Sequence, residues 1–148
     1  MADNLRKLRI FVDADVLFAG SASPNENSAS LVLLRMAEIT LLEAVVSKQV
    51  LTEAKRNLRE KIPSALPAFE LLVGRCLKEV PDPSTEEIKT LTGLVDPADA
   101  PILASAIREQ CSYLATFNVR HYQPGVKTVV VLKPGDLIQQ VRYLLSVL

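Results

Sequence analysis

Residues 8–13, LRIFVD, decide how the rest of the chain is read. Ile10, Phe11 and Val12 form an apolar run with no polar alternation, and the run stops on Asp13. An unbroken apolar run of this length fits a strand covered on both faces, and such strands belong to parallel sheets. Working outward, residues 20–28 (GSASPNENS) carry loop chemistry, and Ser28 is placed to cap a helix running to about Glu38. Residues 40–46 (ITLLEAV) hold a short strand, and Ser47 caps a helix with the apolar stripe Val50, Leu51, Ala54 and Leu58. Pro63 and Pro67 begin a helix reaching about Leu77, residues 79–83 (EVPDP) are a connector, and Ser84 with Glu87 forms a capping box. Asp96-Pro97-Ala98-Asp99 then opens a helix that buries Ala100, Leu103, Ala104 and Ile107. Residues 113–116 (YLAT) and 127–132 (KTVVVL) are strands. The last helix starts near Gly135 with Leu137, Ile138, Val141, Leu144, Leu145 and Leu148 on one face. Strands alternating with helices, without hairpin signals, predict a single α/β domain over residues 1–148: a parallel sheet between two helical layers.

The totals narrow the function. With 148 residues, 49% of them hydrophobic, there is material for one core. Lys plus Arg number 17 and Asp plus Glu 17, so no global field draws the chain to nucleic acid or an anionic membrane. Any contact with nucleic acid is then local, or made through cations on carboxylates. Cys76 and Cys111 share no metal-ligand spacing and read as buried thiols in a reducing compartment. The apolar run near the start (MADNLRKLRIFVDAD, residues 1–15) is too short for a signal-peptide core, and no stretch is long enough to span a bilayer. The expectation is a soluble, cytoplasmic protein.

In parallel sheets, ligands bind beyond the carboxyl ends of the strands. The polar residues expected there are Asp13 and Asp15 after the first strand and Asn118 after YLAT, with Asp96 and Asp99 opening the preceding helix. Asp96 suits an N-cap and Asp99 the third position of a capping box, so capping alone would explain that pair. Asp13 resists so plain a reading, because a carboxylate directly after a buried strand needs compensation for lost hydration. Glu53 borders the buried stripe of its helix, near the positive end of the helix dipole. Carboxylates converging on one cleft repel one another unless a divalent cation intervenes, and oxygen ligands favour Mg²⁺ or Mn²⁺. Phosphodiester hydrolysis is then available without a histidine base or serine nucleophile.

Four segments in order resemble the PIN-domain family of nucleases, in particular its prokaryotic toxin-like (VapC-like) members. FVDADVLFAG (11–20) is similar to the first-strand motif with its acid at Asp13. VLTEAKRNL (50–58) is similar to the helix carrying the family's glutamate, here Glu53. DPADAPILASAI (96–107) is similar to the third motif, with Asp99 and a companion at Asp96. YLATFNVRHY (113–122) is similar to the fourth, where Thr116 precedes Asn118. Each motif alone is weak; four in order are fairly specific. The resemblance implies a five-stranded PIN-like sheet, Mg²⁺- or Mn²⁺-dependent endoribonuclease activity, dimerisation, and often neutralisation by a small antitoxin protein. Carried onto this chain, it makes Asp13, Glu53 and Asp99 catalytic, gives Asp13, Asp96, Asp99 and Asn118 to the metal, and leaves Thr116 and Asp15 in support. Two departures stand out: Asp15 where the family often has Asn or a hydroxyl, and Asn118 where it often has Asp.

Lys55, Arg56, Arg59 and Lys61 follow Glu53 along its helix and are candidates to guide RNA phosphates, or simply a solvated face. His121, the sole histidine, reads as a loop residue without partner ligands. Three other readings stay open. Asp13-Ala14-Asp15-Val16 resembles the nucleophile motif of haloacid-dehalogenase-like phosphatases, with Ser47, Asp96 and Asp99 as later motif candidates. Early acids with Lys133-Pro134 suggest a receiver-like signalling domain, which lacks a phospho-accepting Asp on a middle strand. The third is a non-catalytic PIN domain binding RNA or a protein.

Overall fold

The computed structural model describes residues 8–23 and 25–148. Residues 1–7 of the segment read against a signal peptide, and Pro24 of the 20–28 loop, lie outside them. Among the described residues, five strands form one all-parallel sheet: β1 (Leu8–Val12), β2 (Leu42–Ser47), β3 (Leu77–Val80), β4 (Tyr113–Ala115) and β5 (Val130–Leu132). Their order across the sheet is β3-β2-β1-β4-β5. The helices are α1 (Ala14–Ala22), α2 (Ala29–Glu38), α3 (Lys48–Lys61), α4 (Leu66–Cys76), α5 (Thr85–Lys89), α6 (Ala100–Arg108) and α7 (Pro134–Ser146). Short 3-10 turns occupy Pro63–Ala65 and Val119–Tyr122.

β1 is central, and Ile10, Phe11 and Val12 are fully buried, as their unbroken apolar run requires. In register, Ile10 stands opposite Ala44 on one side and Tyr113 on the other. The pairing with β4 continues one residue further, where the Asp13 N–H donates to the Ala115 carbonyl at 3.0 Å. The chain turns into α1 at once, with Asp13 as N-cap accepting from its neighbour Ala14 N–H at 2.8 Å. β2 does the same: Ser47 ends the strand and caps α3 through Val50 N–H. These two strand-to-helix junctions carry Asp13 and Glu53 to the same end of the sheet.

Several expected boundaries move. α1 continues to Ala22, so Gly20 is helical rather than part of the loop; a Cβ there would stand 2.9 Å from Leu34 Cδ1, so glycine permits close packing against α2. The expected 79–83 connector begins inside β3, whose Lys78 and Glu79 are exposed on an edge strand with no apolar run to announce it. β5 is confined to Val130–Leu132, half the stretch expected. The Asp96–Asp99 segment is a turn, and α6 begins only at Ala100; Ile107 is half-buried, while Ala100, Leu103 and Ala104 join the core. On α7, Leu137 and Val141 are buried and Leu145 faces out, while Leu148 lies beyond the helix end and is exposed. No helix among the described residues is long and apolar enough to cross a membrane.

Candidate active site

Asp13 is buried, with 7% of its surface exposed, yet both oxygens are partnered. Oδ1 accepts from Ala14 N–H; Oδ2 accepts from the hydroxyls of Thr116 at 2.9 Å and Tyr122 at 2.7 Å. Burial and the charge of Asp13 push the Tyr122 phenol far above its ordinary range, so it stays a neutral donor. Thr116, fully buried just after β4, also reaches Asp15 Oδ2 at 3.3 Å. The same Asp15 oxygen accepts from Phe117 N–H at 3.0 Å and from the Asn118 amide at 3.2 Å. Asp15 thereby braces the chain leaving β4. Its other oxygen, Oδ1, is buried without a hydrogen-bond partner. Burial, then the neighbouring Asp13 charge, raises the Asp15 carboxyl to about 6.

Asp99 is the N-cap residue of α6 by backbone position, but its side chain makes no capping bond. From the sequence, Asp99 could serve as a metal ligand or sit at the third position of a capping box opened by Asp96. The turn at Asp96–Asp99 frees its carboxylate, because α6 starts after it. Burial and then the charge of Asp13 raise the Asp99 carboxyl above its ordinary range, with His121 opposing the shift. Asp96 is exposed and accepts from Ala98 N–H at 3.0 Å, a local turn contact rather than a helix cap. Its own N–H donates to the His121 carbonyl at 2.7 Å.

Glu53 is half-buried on α3 and lines an open cleft of about 550 Å³ with Asp99. Lys48, Gln49, Thr52, Arg56 and Asp82 complete its polar wall. Lys48, Thr52 and Arg56 stand four residues apart, on one helical face. The structure thus sets Glu53 and Asp99 on one cleft and Asp13 within electrostatic reach of both Asp15 and Asp99. Of the basic residues considered, Arg56 lines the cleft. Lys55 pairs with Glu70 on α4 at 3.2 Å, Arg59 is exposed outside the cleft lining, and Lys61 lies over the Phe18 ring, 5.7 Å from its centroid.

Three contributors were not read from the sequence. Tyr122 closes the motif YLATFNVRHY, yet nothing in its local pattern announced a bond to Asp13. His121 is no unpartnered loop residue: its Nδ1 lies 3.3 Å from Asp99 Oδ2. Asp82, in the loop after β3, accepts from Gln49 N–H at 2.9 Å and sits at the positive end of α3. Every potential ligand here is an oxygen except the His121 nitrogen, a set suited to a divalent cation.

The PIN-domain family profile matches residues 9–120. The chain belongs to the PIN-domain family. Similar solved structures include VapBC2 from Rickettsia felis, bound to a DNA fragment from their promoter. It has a TM-score of 0.65 at 14% identity, covering 85% of this chain and 98% of that chain. A second is PAE2754 from Pyrobaculum aerophilum, at 0.66 and 16% identity, covering 93% of this chain and 99% of that one. A third is the Mycobacterium tuberculosis toxin VapC20, which cleaves the sarcin–ricin loop, at 0.56 and 15%, covering 80% and 97%. The five-stranded parallel sheet is the fold they share with this chain. No curated protein sequence matches it.

Proposed function

We propose that the chain is a divalent-metal-dependent endoribonuclease. The observation that carries this reading is a buried Asp13 at the end of the central strand, electrostatically coupled to Asp99, which shares an open cleft with Glu53 and two cationic side chains. The residues fit a cation: Asp15 Oδ1 is an orphaned buried oxygen, and burial, followed by the like charge of Asp13, raises the Asp15 and Asp99 carboxyls. Asp13 and Asp99 would hold Mg²⁺ or Mn²⁺, with Asp96 and Asn118 at the rim. When bound, such an ion supplies Lewis-acid stabilisation of the phosphoryl oxygens and makes water a better nucleophile. Glu53 faces the substrate side of the cleft and orients the water that attacks phosphorus. As the water oxygen bonds to phosphorus, the P–O bond to the leaving ribose oxygen breaks; the water's proton passes to solvent, and the leaving oxygen takes one up from solvent. Thr116 and Tyr122 fix the Asp13 carboxylate, and Asp15 holds the Phe117 backbone and the Asn118 side-chain amide in place.

Lys48 and Arg56 contact RNA phosphates on either side of Glu53. Replacing both with alanine is expected to raise KM on RNA by about tenfold or more, with kcat little changed. The slope of affinity against salt falls by roughly one to two, as for lost phosphate contacts. Lys55→Ala changes neither, because its ammonium faces Glu70. Equal effects from both sets, read by steady-state kinetics over a salt series, overturn this assignment.

The phosphatase reading fares worse on geometry. It would make Asp15 the general acid, whereas Asp15 Oδ2 accepts from Phe117 N–H and the Asn118 amide and so braces the chain after β4. The test is a pair of assays, on RNA and on p-nitrophenyl phosphate, with Mn²⁺ present and absent. Asp15→Asn keeps an acceptor for Phe117 and should retain RNA cleavage within about tenfold. As the general acid of a phosphatase, its loss should instead cost on the order of 10²-fold or more. Ester hydrolysis that vanishes in Asp15→Asn refutes the nuclease. A wild type that binds metal but cleaves no RNA leaves the binding-only PIN domain.

Two structural relatives come from toxin systems, VapBC2 and the toxin VapC20. Within the same proposal, this chain is the toxin of such a pair, with a small antitoxin as partner. A short reading frame immediately upstream of its gene is the observation that checks it. A cytoplasmic setting suits Cys76 and Cys111, which are both free and buried. Self-association into a homodimer, through the exposed apolar residues Tyr143, Val147 and Leu148 of the C-terminal segment, is measurable by light scattering.

A further inference from the structure

One short turn reaches both acids of the proposed metal site. Tyr122, on the Val119–Tyr122 turn, donates to Asp13 at 2.7 Å, and its neighbour His121 places Nδ1 3.3 Å from Asp99 Oδ2. The turn is anchored by the Asp96 N–H, which donates to the His121 carbonyl at 2.7 Å. One ligand atom each from Asp96, Asp99 and His121 all lie within 4.8 Å of one another. A half-exposed His–Asp pair contributes little as an ion pair. As ligands the spacing means more: two donors about 2.1 Å from one ion and at right angles stand ~3 Å apart, close to the observed His121–Asp99 edge.

We infer that His121 supplies a nitrogen ligand, beside Asp99 and Asp96, to the divalent cation of this site, so that the site favours a first-row transition cation over Mg²⁺. The inference rests on the nuclease reading for the presence of a cation at Asp99. Mg²⁺ takes an octahedron of oxygens and retains its waters, whereas imidazole suits the transition metals. The chain has one histidine, so any nitrogen signal from an imidazole on the metal has a single source.

The test uses the full chain with Mn²⁺ as the probe. Pulsed EPR of bound Mn²⁺ should show ¹⁴N coupling in the wild type and none in His121→Gln. The variant should bind Mn²⁺ about tenfold or more weakly, since even an outer partner of a metal ligand is worth ~10-fold. Its Mg²⁺ affinity should stay within about twofold. Asp96→Asn should weaken Mn²⁺ binding while the ¹⁴N coupling persists, and cation-free melts of both variants confirm folding. Bound Mn²⁺ without ¹⁴N coupling, or coupling that survives in His121→Gln, overturns the nitrogen ligand and leaves the nuclease reading intact. A wild type that neither binds Mn²⁺ nor cleaves RNA overturns both.

Discussion

An Asp13→Asn variant is expected to lose RNA cleavage by on the order of 10³-fold while remaining folded. The two halves of this result have separate causes. Asparagine keeps the shape, and its carbonyl oxygen can still accept from Ala14 N–H. The hydroxyls of Thr116 and Tyr122 can turn to accept from the new amide, since each both donates and accepts. The charge is what disappears. Asp13 raises the carboxyls of both Asp15 and Asp99, so removing it relieves repulsion in the cation-free protein. Its cation-free melting temperature should therefore match or exceed that of the wild type. On the proposed reading, activity falls because a deeply buried ligand of the cation is gone. Thermal melts and RNA cleavage measured on one preparation decide the matter. A variant that cleaves within tenfold of wild type removes Asp13 from the metal site, and one that is inactive because it has unfolded shows that its role is structural.

The central strand was legible because burial on both faces leaves a plain apolar run, and the acid that ends it is conspicuous. Glu53 was legible for a related reason: the stripe of Val50, Ala54 and Leu58 sets the helical phase, and Glu53 falls at its edge. The same phase argument, taken further, separates the basic residues. Arg56 lies three positions from Glu53 and shares its side, whereas Lys55, two positions away, turns toward Glu70. β3 escaped notice because an exposed edge strand has no apolar run, and the helical pattern of α4 reads straight into it. For Asp99 the sequence left capping and metal ligation side by side, because both use the same residue type. The turn geometry shows only that its side chain makes no capping bond and lies beside His121. Tyr122 and His121 lay beyond local pattern altogether. The bond from Tyr122 to Asp13 spans 109 positions, and nothing within a helical or strand period reports it.

Millimolar Mn²⁺ should raise the melting temperature strongly near pH 7 and weakly near pH 4.5. The sign follows from the acids themselves. Asp15 titrates at about 6 in the fold against 3.8 ordinarily, and Asp99 is also raised. A raised folded value means that the native state binds the proton more tightly than the unfolded chain. The associated stability is present below about pH 4 and is lost as pH climbs through 6. Cation-free protein therefore loses stability from this cluster across that window, just as its carboxylates become available to a cation. An ion present at ~100 times its dissociation constant stabilises by ~2.7 kcal/mol, or roughly 5–11 °C for a domain of this size. At pH 4.5 protons compete for the same oxygens, and the shift shrinks. Asp15→Asn isolates the acid's own contribution. It cannot ionise, so relative to wild type its cation-free melting temperature should rise by a few degrees between pH 4.5 and 6.5. Asp13→Ala, by contrast, should erase the Mn²⁺ shift at both pH values. An equal shift in Asp13→Ala would put the cation elsewhere on the molecule. A shift that does not grow with pH would mean that these carboxylates are not its ligands.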